Sequence, residues 1–130
     1  MNITTHLGID RNLCGTPTRV GDGEAQVELL TTAVMAADER GLVHGGFLFG
    51  LADYAAMLAV NDPNVVLGAA EVRFMKPNVV GDALVATARV TSEAGKKREV
   101  SVTVASGETE VFQGQFTCFV LPQHVLEVPA

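Results

Sequence analysis

Gly45-Gly46-Phe47-Leu48-Phe49-Gly50-Leu51-Ala52-Asp53-Tyr54-Ala55-Ala56-Met57-Leu58-Ala59-Val60 is a run of 16 residues with one charge and no proline. It is too long and too rich in alanine for a buried strand, so it reads as a helix. At ~1.5 Å per residue that helix is about 24 Å long. A membrane span needs roughly 20 apolar residues and rarely tolerates a central charge, so the expected place of this helix is inside a soluble fold. A helix apolar on nearly all sides must be wrapped by other structure. Asn61-Asp62-Pro63-Asn64 ends it.

Outward from the helix, the chain reads as strands. Glu24 to Leu29 alternates polar with apolar residues, the pattern of a half-buried strand. Gly21-Asp22-Gly23 before it reads as a hairpin turn, with Arg11 to Val20 as a weaker first strand. Leu30 to Val43 is irregular. Four strands follow the helix. Val65 to Met75 is the first, and Asp82 to Thr91 the second, with Leu84, Ala86, Ala88 and Val90 on one face. After a turn at Glu93-Ala94-Gly95-Lys96, Val100, Val102 and Val104 alternate with Ser101 and Thr103. After Gly107-Glu108, Phe112, Phe116, Cys118 and Val120 share one face, and Pro122 to Ala130 is a tail. Short turns favour antiparallel neighbours. The expected fold is α+β, one domain over residues 1–130, with an antiparallel sheet curled around one central helix. The helix's far side also needs cover, and in so short a chain a second copy is the expected source.

Hydrophobic residues are 48% of the chain and charged ones 18%, which excludes disorder. The net charge of −6 sets nucleic acid and anionic membranes aside as expected partners. Cys14 and Cys118 lie 104 positions apart and make neither a disulfide framework nor a zinc spacing. MNITTHLGIDRN has no basic or apolar stretch of a signal peptide, so a cytoplasmic protein is expected. No metal motif, nucleotide loop or serine triad is present.

Asp53 is the residue to explain, because an unpaired buried carboxylate costs several kcal/mol. It either has a dedicated structural partner or points into a polar cleft. At the helix start, Gly45 and Gly46 allow close approach to backbone N–H groups that lack internal partners and carry partial positive charge, a natural cradle for a developing oxyanion. A tight turn alone would also account for the pair.

His44-Gly45-Gly46-Phe47-Leu48-Phe49-Gly50-Leu51-Ala52-Asp53 resembles the "HGG…LAD" signature of hotdog-fold thioesterases of the phenylacetate-pathway, PaaI-like type. Phe74-Met75-Lys76-Pro77 and Gly81-Asp82 are similar to that family's later strand and turn. The resemblance implies a hotdog fold and hydrolysis of an acyl-coenzyme A, or a related thioester, to acid and thiol without a cofactor. By position it makes Gly45 the oxyanion donor and Asp53 the general base or nucleophile, with His44 and Gly46 shaping the loop. Gly45 and Asp53 are eight positions apart, or about 12 Å along one helix. One helix cannot bring both groups to one carbonyl, so a two-fold dimer with sites at its interface is required, alone or paired into a tetramer. Two positions depart from the family. Asp38 stands where many relatives have Asn, and Leu67-Gly68-Ala69-Ala70 has no hydroxyl. Asp38 and Glu71 are candidate auxiliary acids. Phe49 and Met57 share Asp53's helix face and are candidate walls of an acyl pocket. Arg73, Lys76, Lys96, Lys97 and Arg98 are candidate phosphate contacts. The rival readings are a non-catalytic acyl thioester binder and a hotdog dehydratase or hydratase.

Overall fold

Six strands and one long helix carry the fold, and the helix has the bounds its composition sets. In the computed structural model, which describes residues 1–129, the elements are α1 (Arg11–Cys14), β1 (Thr16–Gly21), β2 (Glu24–Leu30), α2 (Gly45–Val60), β3 (Val65–Phe74), β4 (Ala83–Ala94), β5 (Lys97–Ser106) and β6 (Thr109–Val120). The strands form one antiparallel sheet in the order β1-β2-β4-β5-β6-β3. This is the hotdog arrangement, a sheet wrapped around α2. Ala25, Val27 and Leu29 face the helix from β2, Leu84, Ala86 and Ala88 from β4, Val100, Val102 and Val104 from β5, and Phe112, Phe116 and Cys118 from β6. Ala52, Ala55, Ala56 and Ala59 answer them from α2, and such small side chains let the helix lie close to the sheet. No described helix is long and apolar enough to cross a membrane.

Three sequence expectations need correction. Arg11 to Val20 is not one strand. Asp10 caps a single helical turn, its Oδ1 accepting the Asn12 N–H at 2.8 Å, and Gly15 at φ 109° turns the chain into β1. The first hairpin turn narrows to Asp22-Gly23, whose φ angles of 55° and 75° fit a tight turn matched to strand twist. β4 runs on to Ala94, so the later turn contracts to Gly95-Lys96. The tail also holds a 3-10 turn at Val125–Glu127, capped by His124. Ala130 lies outside the described residues.

The chain's own N-terminus takes on part of the cover that a second copy was expected to supply. Residues 2–15 form a strap running back along α2 from its C-terminal end. The Asn61 side chain accepts from the Thr4 N–H at 2.9 Å and donates to the Asn2 carbonyl at 2.7 Å. The Thr4 hydroxyl donates to the Asn61 carbonyl at 2.9 Å. His6 sits 6.3 Å from the Tyr54 ring, and Gly15 lies against Leu51 and Val27, where a Cβ would come within 3.0 and 2.7 Å.

Candidate active site at the start and middle of the central helix

The start of α2 is built by His44. Its backbone is extended, at φ −64° and ψ 130°, and its Nδ1 accepts the Gly46 N–H at 2.8 Å. His44 is therefore the helix N-cap, with Nδ1 as the capping acceptor. The Gly46 N–H is consumed by this cap, while the Gly45 N–H has no acceptor among the described residues. Gly45 thus presents one bare amide at the positive end of a 16-residue helix.

Gly45 lines a cleft of about 330 Å³ together with Val43, Leu48, Phe74, Met75, Lys76, Pro77 and Asn78. Phe74 lies over Gly45, where a Cβ would come within 3.0 Å of its ring. Asp82 shapes the far wall, its Oδ2 accepting the Val79 N–H at 3.0 Å and the Asn78 amide at 3.3 Å. The Gly81-Asp82 pair, which the sequence marks as a break, is the lock of this loop.

Asp53 lies two turns further on. Its Oδ1 is buried without a hydrogen-bond partner among the described residues, and burial alone pushes its pKa up from 3.8 to about 6. A carboxylate poised near neutrality and short of partners is suited to take a proton. The nearby thiols are not rival nucleophiles. Burial, then the Asp53 charge, then Glu99 raise Cys118 to about 12. Cys14 is also raised, by burial, then Asp10, then Asp53, and the thiolate is the reactive form.

Asp53 ends an accessible stripe on α2 that begins at Gly46 and passes through Gly50. A Cβ added at Gly50 would meet nothing within 4 Å. Gly50→Ala is therefore expected to stabilise the fold by about 0.5–1 kcal/mol, since glycine inside a helix costs that much relative to alanine. Urea unfolding checks it, and a loss of stability would mean that a packed neighbour occupies the stripe.

The other candidate residues are scattered. Asp38 closes a turn, its Oδ1 accepting the Arg40 N–H at 2.9 Å and the Leu42 N–H at 3.2 Å, and burial is the sole cause behind the Asp53 shift. Glu71 and Arg73 stand with Ser101, Thr103 and Gln113 around a polar hollow on the outer face of the sheet. Lys97 pairs with Glu99 at 3.4 Å, and Arg98 pairs with Glu93 at 3.6 Å and donates to the Gly95 carbonyl at 2.7 Å. Those two cations serve their own hairpin, and Lys96 sits exposed in its turn. Lys76 alone of the five lines the Gly45 cleft. Phe49 is half-buried with its ring 5.6 Å from that of Phe116, whereas Met57 is 1% exposed and belongs to the core. Sequence reasoning missed Asn61 and Thr4, whose partnership spans 57 positions and leaves no local signal.

Residues 40–113 match the family model described as the thioesterase superfamily. Among solved structures, an uncharacterized protein from Pyrococcus horikoshii superposes with a TM-score of 0.96 at 55% identity, over 98% of each chain. Methylthioribose-1-phosphate isomerase of Aquifex aeolicus is 54% identical over 116 residues, 89% of this chain and 25% of that protein. The transcription factor FapR of Caldanaerobacter subterraneus subsp. tengcongensis is 33% identical over 86 residues, 66% of this chain and 43% of its own. Acyl-coenzyme A thioesterase PaaI of Escherichia coli is 38% identical over 81 residues, 61% of this chain and 56% of its own. The chain thus spans between a quarter and just over half of these three relatives.

Proposed function

Because this chain belongs to the thioesterase superfamily, on its hotdog fold, we propose that it hydrolyses an acyl-coenzyme A, or a related acyl thioester, to the free acid and the thiol. The observation that carries this reading is the pairing of a bare Gly45 amide with an unpartnered, pKa-raised Asp53 carboxylate. The thioester carbonyl oxygen takes the Gly45 N–H. Asp53 of the partner subunit removes a proton from water, which attacks the carbonyl carbon, and passes that proton to the departing thiolate. Alternatively Asp53 attacks the carbon itself, the thiolate leaves, and water then hydrolyses the resulting mixed anhydride to the acid and free Asp53. The negative charge that develops on oxygen is held by the amide and the helix start, and the carbon–sulfur bond then breaks. Lys76 stands at the cleft for a phosphate of the leaving thiol.

Two copies are part of this proposal. Eight positions of helix separate the two groups by about 12 Å, so each site draws Gly45 from one subunit and Asp53 from the other. β3 offers the edge for it. It is the last strand of the sheet, ten residues long without proline or lysine, and it ends at Phe74 over Gly45. A long edge strand is a ready template for pairing with another chain. Both edge strands carry one register shift, β3 between Leu67 and Ala69, but the opposite edge, β1, is only six residues long and holds Pro17.

The rate is expected to rise with pH through about 6 and level off above it, because only the ionised carboxylate serves and burial holds its pKa there. A kcat/KM profile for acyl-coenzyme A hydrolysis between pH 4 and 8 checks this, and a flat profile removes Asp53 from the reaction. The likeness to a protein named as a transcription factor rather than an enzyme favours a second reading, in which this domain would bind its ligand without turning it over. In that case acyl-coenzyme A raises the unfolding temperature while no thiol is released. The dehydratase reading loses ground, because His44 spends Nδ1 on the helix cap.

A further inference from the structure

We propose that the N-terminal strap, residues 2–15, sets the length of the acyl group, closing the helix beyond Asp53 so that the site takes short acyl thioesters. This rests on the thioester-site reading above. The accessible stripe of α2 runs Gly46, Gly50, Asp53, at spacings of four and three. The next residue on that stripe is Met57, which is 1% exposed, and every side chain from Tyr54 to Ala59 is buried. An acyl chain that leaves a carbonyl at Asp53 toward the C-terminal half of the helix meets Met57 and the buried side chains up to Ala59 and has nowhere further to go.

The strap lies across this closed half. It is bound at Asn61, one residue beyond the helix, by the side-chain bonds to Thr4 and Asn2, and it meets Tyr54 through His6. His6 holds φ 55°, in the left-handed region that few non-glycine residues enter. The seat combines a few polar bonds with the partly buried Ile3, Ile9 and Cys14, which pack against the core, while Leu7 and Leu13 of the strap remain exposed. The fully buried apolar side chains all come from outside the strap, so its release leaves them in place. The strap also precedes residues 40–113, the part of the chain shared with the family model. The wall thus lies outside the part matched by the family model, and the Pyrococcus horikoshii structure, which covers 98% of this chain, extends over it.

The double variant Thr4→Val with Asn61→Gly tests the proposal. Glycine keeps the left-handed helix cap, where Asn61 has φ 51°, and deletes the side-chain bonds to the strap. Hydrogen exchange at residues 2–8 reports release, and a variant lacking residues 2–8 serves if those amides stay protected. Both proteins are assayed for hydrolysis of acetyl-, butanoyl-, octanoyl- and dodecanoyl-coenzyme A, and for binding of the matching non-hydrolysable thioethers. For the unaltered protein, kcat/KM and affinity are expected to fall at least about tenfold from butanoyl to dodecanoyl. In the released variant that fall shrinks to within about threefold, with butanoyl turnover kept. An unchanged chain-length profile after release overturns the proposal, as does a preference of the unaltered protein for dodecanoyl. Thioether affinities that follow the expected profile without any hydrolysis would sink the hydrolase reading and uphold the wall. Hydrolysis with flat profiles in both proteins does the reverse.

Discussion

Asp53→Asn is expected to lower kcat/KM for acyl-coenzyme A hydrolysis by at least about a thousandfold while raising stability at pH 7. The two effects come from one cause. Folding moves the Asp53 pKa from 3.8 to about 6 by burial, so the folded chain holds that proton more tightly than the unfolded chain does. Stability is therefore lost as pH rises through that window and stays lower above it. A shift of this size costs up to about 3 kcal/mol per chain at neutral pH. Asparagine keeps the shape and removes the charge. Part of the gain is offset by its own buried amide, so the expected rise is about 1–3 kcal/mol. The pH dependence separates this from ordinary repacking, because the advantage of the variant should vanish below about pH 4, where the aspartate is protonated in both states. Denaturant unfolding at pH 4 and 7, beside thiol release, reads both halves. Full activity in the variant ends the assigned chemistry. A variant less stable than the parent at pH 7 means that Asp53 has a structural partner.

The parts of this molecule visible in the sequence are those whose signal is local. α2 declares itself by a 16-residue run, apolar but for Asp53, between His44 and Asn61, both of which act as caps. β2, β4 and β5 declare themselves by alternation, because each has one face on the helix. The six-strand count and the place of the helix follow from those periods. Gly45 and Asp53 were marked by chemistry, a bare helix start and a charge inside an apolar run, and the fold leaves both without partners. The illegible parts depend on contacts distant in sequence. The strap is seated by Thr4 on Asn61, and neither residue type says so by itself. α1 is one turn capped by Asp10, too short to show a period against the strand it precedes. Met57 shares a helical stripe with Phe49 and Asp53, and spacing alone cannot tell that the stripe closes before it reaches Met57. Lys97 and Arg98 look like free cations until the hairpin places Glu99 and Glu93 beside them.

Gly45→Pro is expected to keep the fold and remove the oxyanion donor, and it supplies the decisive test of site sharing. Proline is favoured at the first position of a helix, where its missing N–H costs no internal bond. It also requires an extended residue before it, and His44 already has φ −64° and ψ 130°. A Cβ added at Gly45 meets only the half-exposed Phe74 side chain, which can turn aside. Loss of one such donor typically lowers kcat by about a hundred- to a thousandfold. Gly45→Pro and Asp53→Ala are then each nearly inactive alone. If each site takes Gly45 from one subunit and Asp53 from the other, a hybrid dimer has one site with both groups intact and one with both defects. Random re-pairing makes half the dimers hybrids, so the mixture should recover about a quarter of the parent activity. If both groups served from one subunit, every site in every dimer would carry a defect, and mixing would recover nothing. Co-refolding the two variants and assaying thiol release therefore distinguishes the arrangements by the appearance of activity from two inactive proteins, an outcome that neither misfolding nor residual turnover can imitate.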